Sequence, residues 1–156
     1  GRKRAFTFQK LKSFDSELFK MLTSNYKLVP KLESTFFGYD RDNGAIKNSM
    51  HNAHAANVSH ITNFSSQSIS DLVPLSNDRG LIILNPPYGA RIGDKKKLYP
   101  LYAKLGMVLR TYFSGWRVGL ITSDGSLART TEIKFSFVSK PINHGGLRVK
   151  LYQATL

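Results

Sequence analysis

The four residues Leu81-Ile82-Ile83-Leu84, all aliphatic and closed at once by Asn85-Pro86-Pro87, constrain this chain more than any other stretch. The run is strand-sized, and with no polar residue on either face it calls for cover on both, as strands of parallel sheets have. Parallel strands need long crossovers, usually helices. Helices should therefore alternate with strands along the chain, and the flanking sequence reads that way. Ser13 precedes Phe14, Leu18, Met21 and Leu22, which share one face at helical spacing, with Asp15 and Glu17 in the first turn where the helix dipole favours acids. Thr35-Phe36-Phe37 reads as a short buried strand ending at Gly38-Tyr39-Asp40. Asp42 then suits the N-cap of a helix using Ile46, Met50, Ala53 and Asn57 along one side. Residues 60–67 read as another strand and 69–72 as a short helical turn.

Downstream of the aliphatic run, Leu98, Leu101, Tyr102, Leu105, Val108, Leu109 and Tyr112 fall at intervals of three and four and give the strongest helix, stopped by Gly115. Residues 116–122 give a further strand. The pattern then changes: Ile133, Phe135 and Phe137 alternate with Lys134 and Ser136, and Leu147, Val149 and Leu151 alternate with Arg148 and Lys150. Asn143-His144-Gly145-Gly146 lies between them as a turn. The expected architecture is an α/β mixed sheet covered by helices, with a C-terminal antiparallel hairpin.

Composition bounds the partners. At 156 residues and 41% hydrophobic the chain can bury a core of its own, which excludes disorder as a whole-chain reading. Its 23 Lys and Arg against 10 Asp and Glu give a net charge of +13, which points to a polyanion, either nucleic acid or an anionic membrane. No run approaches the roughly 20 apolar residues of a spanning helix, so no membrane partner is expected. Without cysteine there is no disulfide framework, no thiolate chemistry and no Cys-type zinc site, and a reducing, cytoplasmic setting is expected. Gly1-Arg2-Lys3-Arg4 is not followed by the apolar core of a signal peptide. Gly1 is no initiator, and the chain is expected to be a piece of a longer one.

Open α/β sheets bind ligands at the carboxyl ends of their strands, which selects two places. The first is Asn85-Pro86-Pro87-Tyr88-Gly89, directly after the aliphatic strand. The Asn85 side-chain oxygen and the Pro86 carbonyl can each accept one N–H of a planar exocyclic amine, orienting its lone pair. Both prolines hold φ near −65° and remove backbone donors, and the Tyr88 ring offers a face for an extruded base. Asn-Pro and Pro-Pro are also ordinary turn punctuation. Average residue usage makes a chance Asn-Pro-Pro-Tyr in such a chain rarer than roughly one in a thousand. The second place is Gly38-Tyr39-Asp40, where a carboxylate at a strand end can accept both hydroxyls of a ribose or simply cap the following helix.

These residues resemble a known family. Gly38-Tyr39-Asp40-Arg41-Asp42 at one strand end, Ser70-Asp71-Leu72, and the Asn-Pro-Pro-Tyr-Gly after the next strand look like a class I methyltransferase that uses S-adenosylmethionine. Asn85-Pro86-Pro87-Tyr88-Gly89-Ala90-Arg91-Ile92-Gly93, followed by Leu98-Tyr99 and Gly115-Trp116, is similar to the THUMP-associated RNA methyltransferases. Among these it resembles the bacterial enzymes that methylate the exocyclic amine of a guanine in large-subunit (23S) ribosomal RNA. Arg4-Ala5-Phe6-Thr7-Phe8 and His144-Gly145-Gly146-Leu147 extend the resemblance over nearly the whole chain.

The resemblance implies a Rossmann-like sheet, S-adenosylmethionine as cofactor and RNA as partner. Asp40, with Arg41 beside it, would hold the cofactor's ribose, Ser68 and Ile69 would border its adenine, and Asn85, Pro86, Pro87 and Tyr88 would receive the target base, Asn85 also adjoining the cofactor. Ser68 departs from the many relatives that place an acid there. The family's first strand and its glycine-rich loop, which packs on the methionine end of the cofactor, do not occur here. Gly145-Gly146 cannot substitute, because it opens a strand and not a helix. Residues 1–156 therefore read as the later part of a catalytic domain, without its first strand or an N-terminal RNA-binding module. Such a piece is expected to bind cofactor poorly and to self-associate through exposed strand edges.

Arg91, Lys95, Lys96 and Lys97 flank the proposed base pocket and, because they adjoin the motif, are read as phosphate contacts; Arg2, Lys3, Arg4, Lys10 and Lys12 form a second cluster, for which a solvated segment is an equal reading. His51, His54 and His60 lack the carboxylate or cysteine that would complete a metal site. Ser123-Asp124-Gly125-Ser126 reads as a turn with an N-cap. The helical face of residues 98–112 reads as core. Two classes of function remain: methyl transfer to an amine of RNA, with DNA adenine or a protein glutamine amide as other acceptors, and a non-catalytic basic RNA-binding module.

Overall fold

In the computed structural model, which describes residues 5–24, 35–88 and 95–156, short polar side chains start three of the four α-helices among the described residues. Helix α1 (Ser16–Ser24) begins at Asp15, whose Oδ1 accepts from the amides of Glu17 and Leu18, each at 2.9 Å. The carboxylate thus starts the helix two residues after Ser13. Strand β1 (Phe36–Asp40) leads through Asp42 into helix α2 (Asn43–Ala55), with Asp42 Oδ1 accepting from the Gly44 amide at 2.7 Å. Strand β2 (Thr62–Ser66) lies parallel to β1, from Phe36 opposite Thr62 to Asp40 opposite Ser66. A single 3-10 turn, Ile69–Asp71, capped by Ser68, leads towards β3 (Leu81–Leu84).

Helix α3 (Leu98–Tyr112), strand β4 (Arg117–Thr122) and helix α4 (Gly125–Thr130) follow; the N-cap expected in the turn at 123–126 is Asp124, but the helix it starts was not expected. The chain ends in β5 (Phe137–Val138), β6 (Ile142–His144) and β7 (Leu147–Thr155). Strands β3 and β4 are parallel, whereas β7 runs antiparallel to β4, β5 and β6. The expected turn between the last two strands narrows to Gly145-Gly146, with φ of 55° and 82°, left-handed values that glycine adopts at little cost. Asn143 and His144 belong to β6. The strand expected from Ile133 shrinks to Phe137 and Val138, because Ile133 enters the core and Phe135 packs edge-on against Tyr152.

The core lies where α3 and α4 cover β4. Tyr102, Leu105, Val108 and Leu109 of α3 meet Val118, Leu120, Leu127 and Ala128, all buried. Each large apolar side chain buried there contributes about 1.5–3 kcal/mol relative to exposure. Gly106 permits the close approach, since a Cβ at that position would lie 1.9 Å from the Thr131 carbonyl oxygen.

The other half is open, and here two expectations on burial fail. Strand β3 is covered on one face only: Ile82 and Leu84 pack on the core, while Leu81 and Ile83 are 54% and 60% exposed. Phe36 and Phe37 of β1, expected to be buried, are exposed as well. The reason is topological. Strands β1 and β2 form a two-stranded sheet of their own, and β3 is the edge of the other sheet, so neither β1 nor β3 has a partner on its second edge among the described residues. The face of α1 that carries Leu18, Met21 and Leu22 is likewise exposed.

Candidate functional site

Strands β1 and β3 end at one place. Their carboxyl ends open into a cavity of about 380 Å³, bordered by Tyr39, Asp40 and Arg41 after β1 and by Ile83, Leu84, Asn85, Pro86 and Pro87 at β3. Gln67, Ser68, Ile69 and Leu72 close one side, and Leu101 and Leu105 of α3 another. Each of β1 and β3 starts a parallel pair, with β2 and β4, and the cavity lies at the carboxyl ends of β1 and β3, the usual end for ligands in open α/β sheets. Its size falls in the roughly 300–1,000 Å³ range of small-molecule sites.

Local hydrogen bonds hold the wall in place. Asp40 Oδ1 accepts from the Asp42 amide at 2.9 Å, and the Asp40 carbonyl accepts from the Gln67 amide at 3.0 Å, which ties the ends of β1 and β2 together. Gln67 Nε2 donates to the Asp71 carbonyl at 2.7 Å, folding the Ile69–Asp71 turn back over the rim. Ser68 Oγ accepts from the Ser70 amide at 3.2 Å, so this hydroxyl is engaged as the cap of that turn. Asp42, and not Asp40, caps α2, which leaves Asp40 at the cavity.

The Asn85-Pro86-Pro87-Tyr88 segment is anchored from behind by groups that sequence pattern did not single out. Tyr102 Oη, fully buried, donates to the Pro87 carbonyl at 3.2 Å, and Ser123 Oγ donates to the Tyr88 carbonyl at 2.9 Å. Burial pushes the Tyr102 phenol above its ordinary pKa, so it stays a neutral donor. Asn85 itself is exposed at the mouth. Tyr88 does not line the cavity; it is half-buried against the core cluster.

The structure thus gathers Asp40, Arg41, Ser68, Ile69, Asn85, Pro86 and Pro87 around one space. Lys96 and Lys97 are exposed in a 3-10 turn at the start of α3. Arg91, the side chain of Lys95, and the Arg2-Lys3-Arg4 cluster lie outside the described residues. Sequence reading missed Gln67, Leu72, Leu101 and Leu105. The last two were assigned wholly to the core, and their spacing of four on one face of α3 is the signal that they share a wall.

The sequence matches the family described as RMKL-like, methyltransferase domain, over residues 2–153. The chain belongs to this RMKL-like methyltransferase family. A relative named ribosomal RNA large subunit methyltransferase K/L, from Legionella pneumophila strain Philadelphia 1, is 34% identical over 137 residues, or 88% of this chain and 19% of the relative. The crystal structure of a possible methylase from Clostridium difficile 630 is 27% identical with a TM-score of 0.80, covering 98% of this chain and 40% of that one. The structure of SMU.472 complexed with SAH has the same TM-score and coverage at 22% identity. The RMKL-like domain therefore has the class I methyltransferase fold, and the chain spans about a fifth or less of the length of the curated relatives it matches.

The residues present suit the cofactor of that fold. A carboxylate at the end of β1 matches two ribose hydroxyls, and Ile69, Leu72, Leu101 and Leu105 supply apolar wall for a planar base.

Proposed function

We propose that the protein carrying this RMKL-like domain transfers a methyl group from S-adenosylmethionine to the exocyclic amine of a nucleobase in RNA, the N2 amine of a guanine in 23S ribosomal RNA. The observation that carries this reading is one cavity shared by Asp40 and by Asn85-Pro86-Pro87. Bound S-adenosylmethionine supplies a methyl carbon made electrophilic by its sulfonium. Asp40 accepts the ribose hydroxyls, Arg41, Ser68 and Ile69 border the nucleoside, and the apolar wall excludes water. The Asn85 side-chain oxygen and the Pro86 carbonyl accept the two amine N–H groups and aim the nitrogen lone pair. Tyr88, packed on the core, would meet a base only at the outer edge of the motif. Held this way, the amine nitrogen would take the methyl carbon while the electron pair of the C–S bond would stay on sulfur and the amine proton would leave to solvent. Tyr102 and Ser123 keep the motif's carbonyls fixed throughout.

The same reading assigns residues 1–156 to the later part of a catalytic domain. A further strand of the longer protein would run between β1 and β3, an N-terminal module would bind RNA, and Arg91, Lys95, Lys96 and Lys97 would contact phosphates beside the base pocket. The single-edged pairing of β1 and β3 and the exposure of Phe36, Phe37, Leu81 and Ile83 support it. Alone, the chain would bind cofactor weakly and associate with itself through these edges. The family relationship and the absence of cysteine favour a cytoplasmic setting; no helix among the described residues is long and apolar enough to cross a membrane.

The deciding experiment incubates the full-length protein with ribosomal RNA and labelled S-adenosylmethionine and maps the product by mass spectrometry. N2-methylguanine is expected. Label only in DNA adenine, or only in a protein amide, would overturn the acceptor.

A further inference from the structure

The β6–β7 hairpin stands at the same end of the sheet as the candidate base site and has no role in the reading above. The ladder between β4 and β7 runs from Arg117 opposite Thr155 to Thr122 opposite Lys150. Beyond Lys150, therefore, β7 continues past the carboxyl end of β4, and there β6 takes over the pairing, with Ile142 opposite Val149 and His144 opposite Leu147. That end is the motif's end: Ser123, the residue after β4, donates to the Tyr88 carbonyl at 2.9 Å. The tip stands clear of the molecule, since a Cβ on Gly145 or Gly146 would find nothing within 4 Å.

The charge on this arm has one sign. Residues 133–156 contain no Asp or Glu, while Lys134, Lys140, Arg148 and Lys150 are cationic, the last three on or beside the hairpin. Lys140 and Arg148 are exposed, Lys150 half-buried. Strand geometry puts Arg148 and Lys150 on one face about 7 Å apart, with exposed Asn143 on the same face, opposite Arg148. A row of cations and an amide beside the mouth of a base-sized site fits a sugar-phosphate backbone, to which such groups contribute affinity and register but no sequence information.

We infer that the β6–β7 hairpin is an RNA-docking arm that grips the backbone flanking the target base, through Lys140, Arg148 and Lys150. This inference rests on RNA being the acceptor. It differs from the Lys-rich loop before α3, because the hairpin reaches the site from the β4 side.

The test measures binding of a 23S ribosomal RNA fragment to the full-length protein as a function of salt, for the wild type and for Lys140→Gln/Arg148→Gln. Both side chains are exposed, so the fold should survive, which thermal melting checks. Loss of two single-strand phosphate contacts should weaken binding roughly ten- to thirtyfold at 0.1 M salt and flatten the slope of log K against log salt by about 1.4. Lys140→Arg/Arg148→Lys should restore both, and S-adenosylmethionine affinity should not move. A photocrosslinking residue at Asn143 should label the strand that carries the methylated base. If the wild type binds RNA and the double Gln variant binds with equal affinity and slope, the docking arm is overturned alone. If the wild type binds duplex DNA and not RNA, the acceptor reading fails and takes this inference with it.

Discussion

Strands β1 and β4 are both rich in apolar residues, yet Phe36 and Phe37 are about half exposed while Val118 and Leu120 are buried almost completely. Their difference lies in their neighbours. β4 is paired on both edges, by β3 and β7, and α3 and α4 pack against it, whereas β1 has β2 on one edge and α2 beside it. Only Ile46 and Ala53 of α2 are buried in that unit, and no residue of α1 is. Apolar side chains enable burial, but topology decides which of them receive cover. The site spans both halves: its β3 wall is paired to β4 and packed on the core through Ile82 and Leu84, while its β1 wall has only β2 and α2 behind it.

The sharpest way to break this comparison is truncation on each side. Leu109→Ala removes a fully buried side chain and should cost about 2–5 kcal/mol in denaturant unfolding. Ile83→Ala, 60% exposed in this chain, should cost under about 0.5 kcal/mol here. A loss of 2 kcal/mol or more by Ile83→Ala in the full-length protein, set against a small one here, would place a covering element over β3. Equal small losses in both contexts would refute the proposed additional strand.

Next in size is Asn85→Ala in the full-length protein, which should lower kcat by about a hundredfold or more while leaving S-adenosylmethionine affinity little changed, the signature of a group acting on the reacting amine. Asp40→Ala should show the converse, a weaker cofactor affinity by calorimetry with RNA binding preserved. Retained turnover in the first variant, or unchanged cofactor binding in the second, would remove these residues from their roles.

A smaller effect is expected from Tyr102→Phe. Losing a buried donor to the Pro87 carbonyl should cost about 1 kcal/mol. It should appear in kcat more than in KM, because the carbonyls of the motif lose their fixed aim. A change in stability alone, with kcat untouched, would make the bond merely structural. Smallest is Asp42→Ala, a lost N-cap worth about 1 kcal/mol or less. Hydrogen exchange should register it in α2 and not in α3, if the two halves open separately.

Much of the fold was legible. The period of α3 survives almost residue for residue, because one apolar stripe at helical spacing has one core to face. Asp42 announces its helix as a short carboxylate placed before it, whereas Asp124 was legible as a cap but not the six-residue helix α4 that it starts. The motif and Asp40 were legible as separate candidates, each at a strand end. The Tyr102 and Ser123 anchors were not, since a tyrosine within an apolar stripe and a serine in a turn carry no local mark of a carbonyl 15 or 35 residues away.

By itself the sequence determined the order of the elements apart from α4, the Asp42 cap of α2, the positive charge and the chemistry of Asn85-Pro86-Pro87-Tyr88. These depend on neighbours within a few residues or on composition, so they are written locally. Only the tertiary structure decided that Asp40 and Asn85 share one cavity, that α3 supplies part of its wall, and that Phe36, Leu81 and Ile83 stay in water. These outcomes depend on which strands pair, and strand pairing is a contact between segments far apart in the chain.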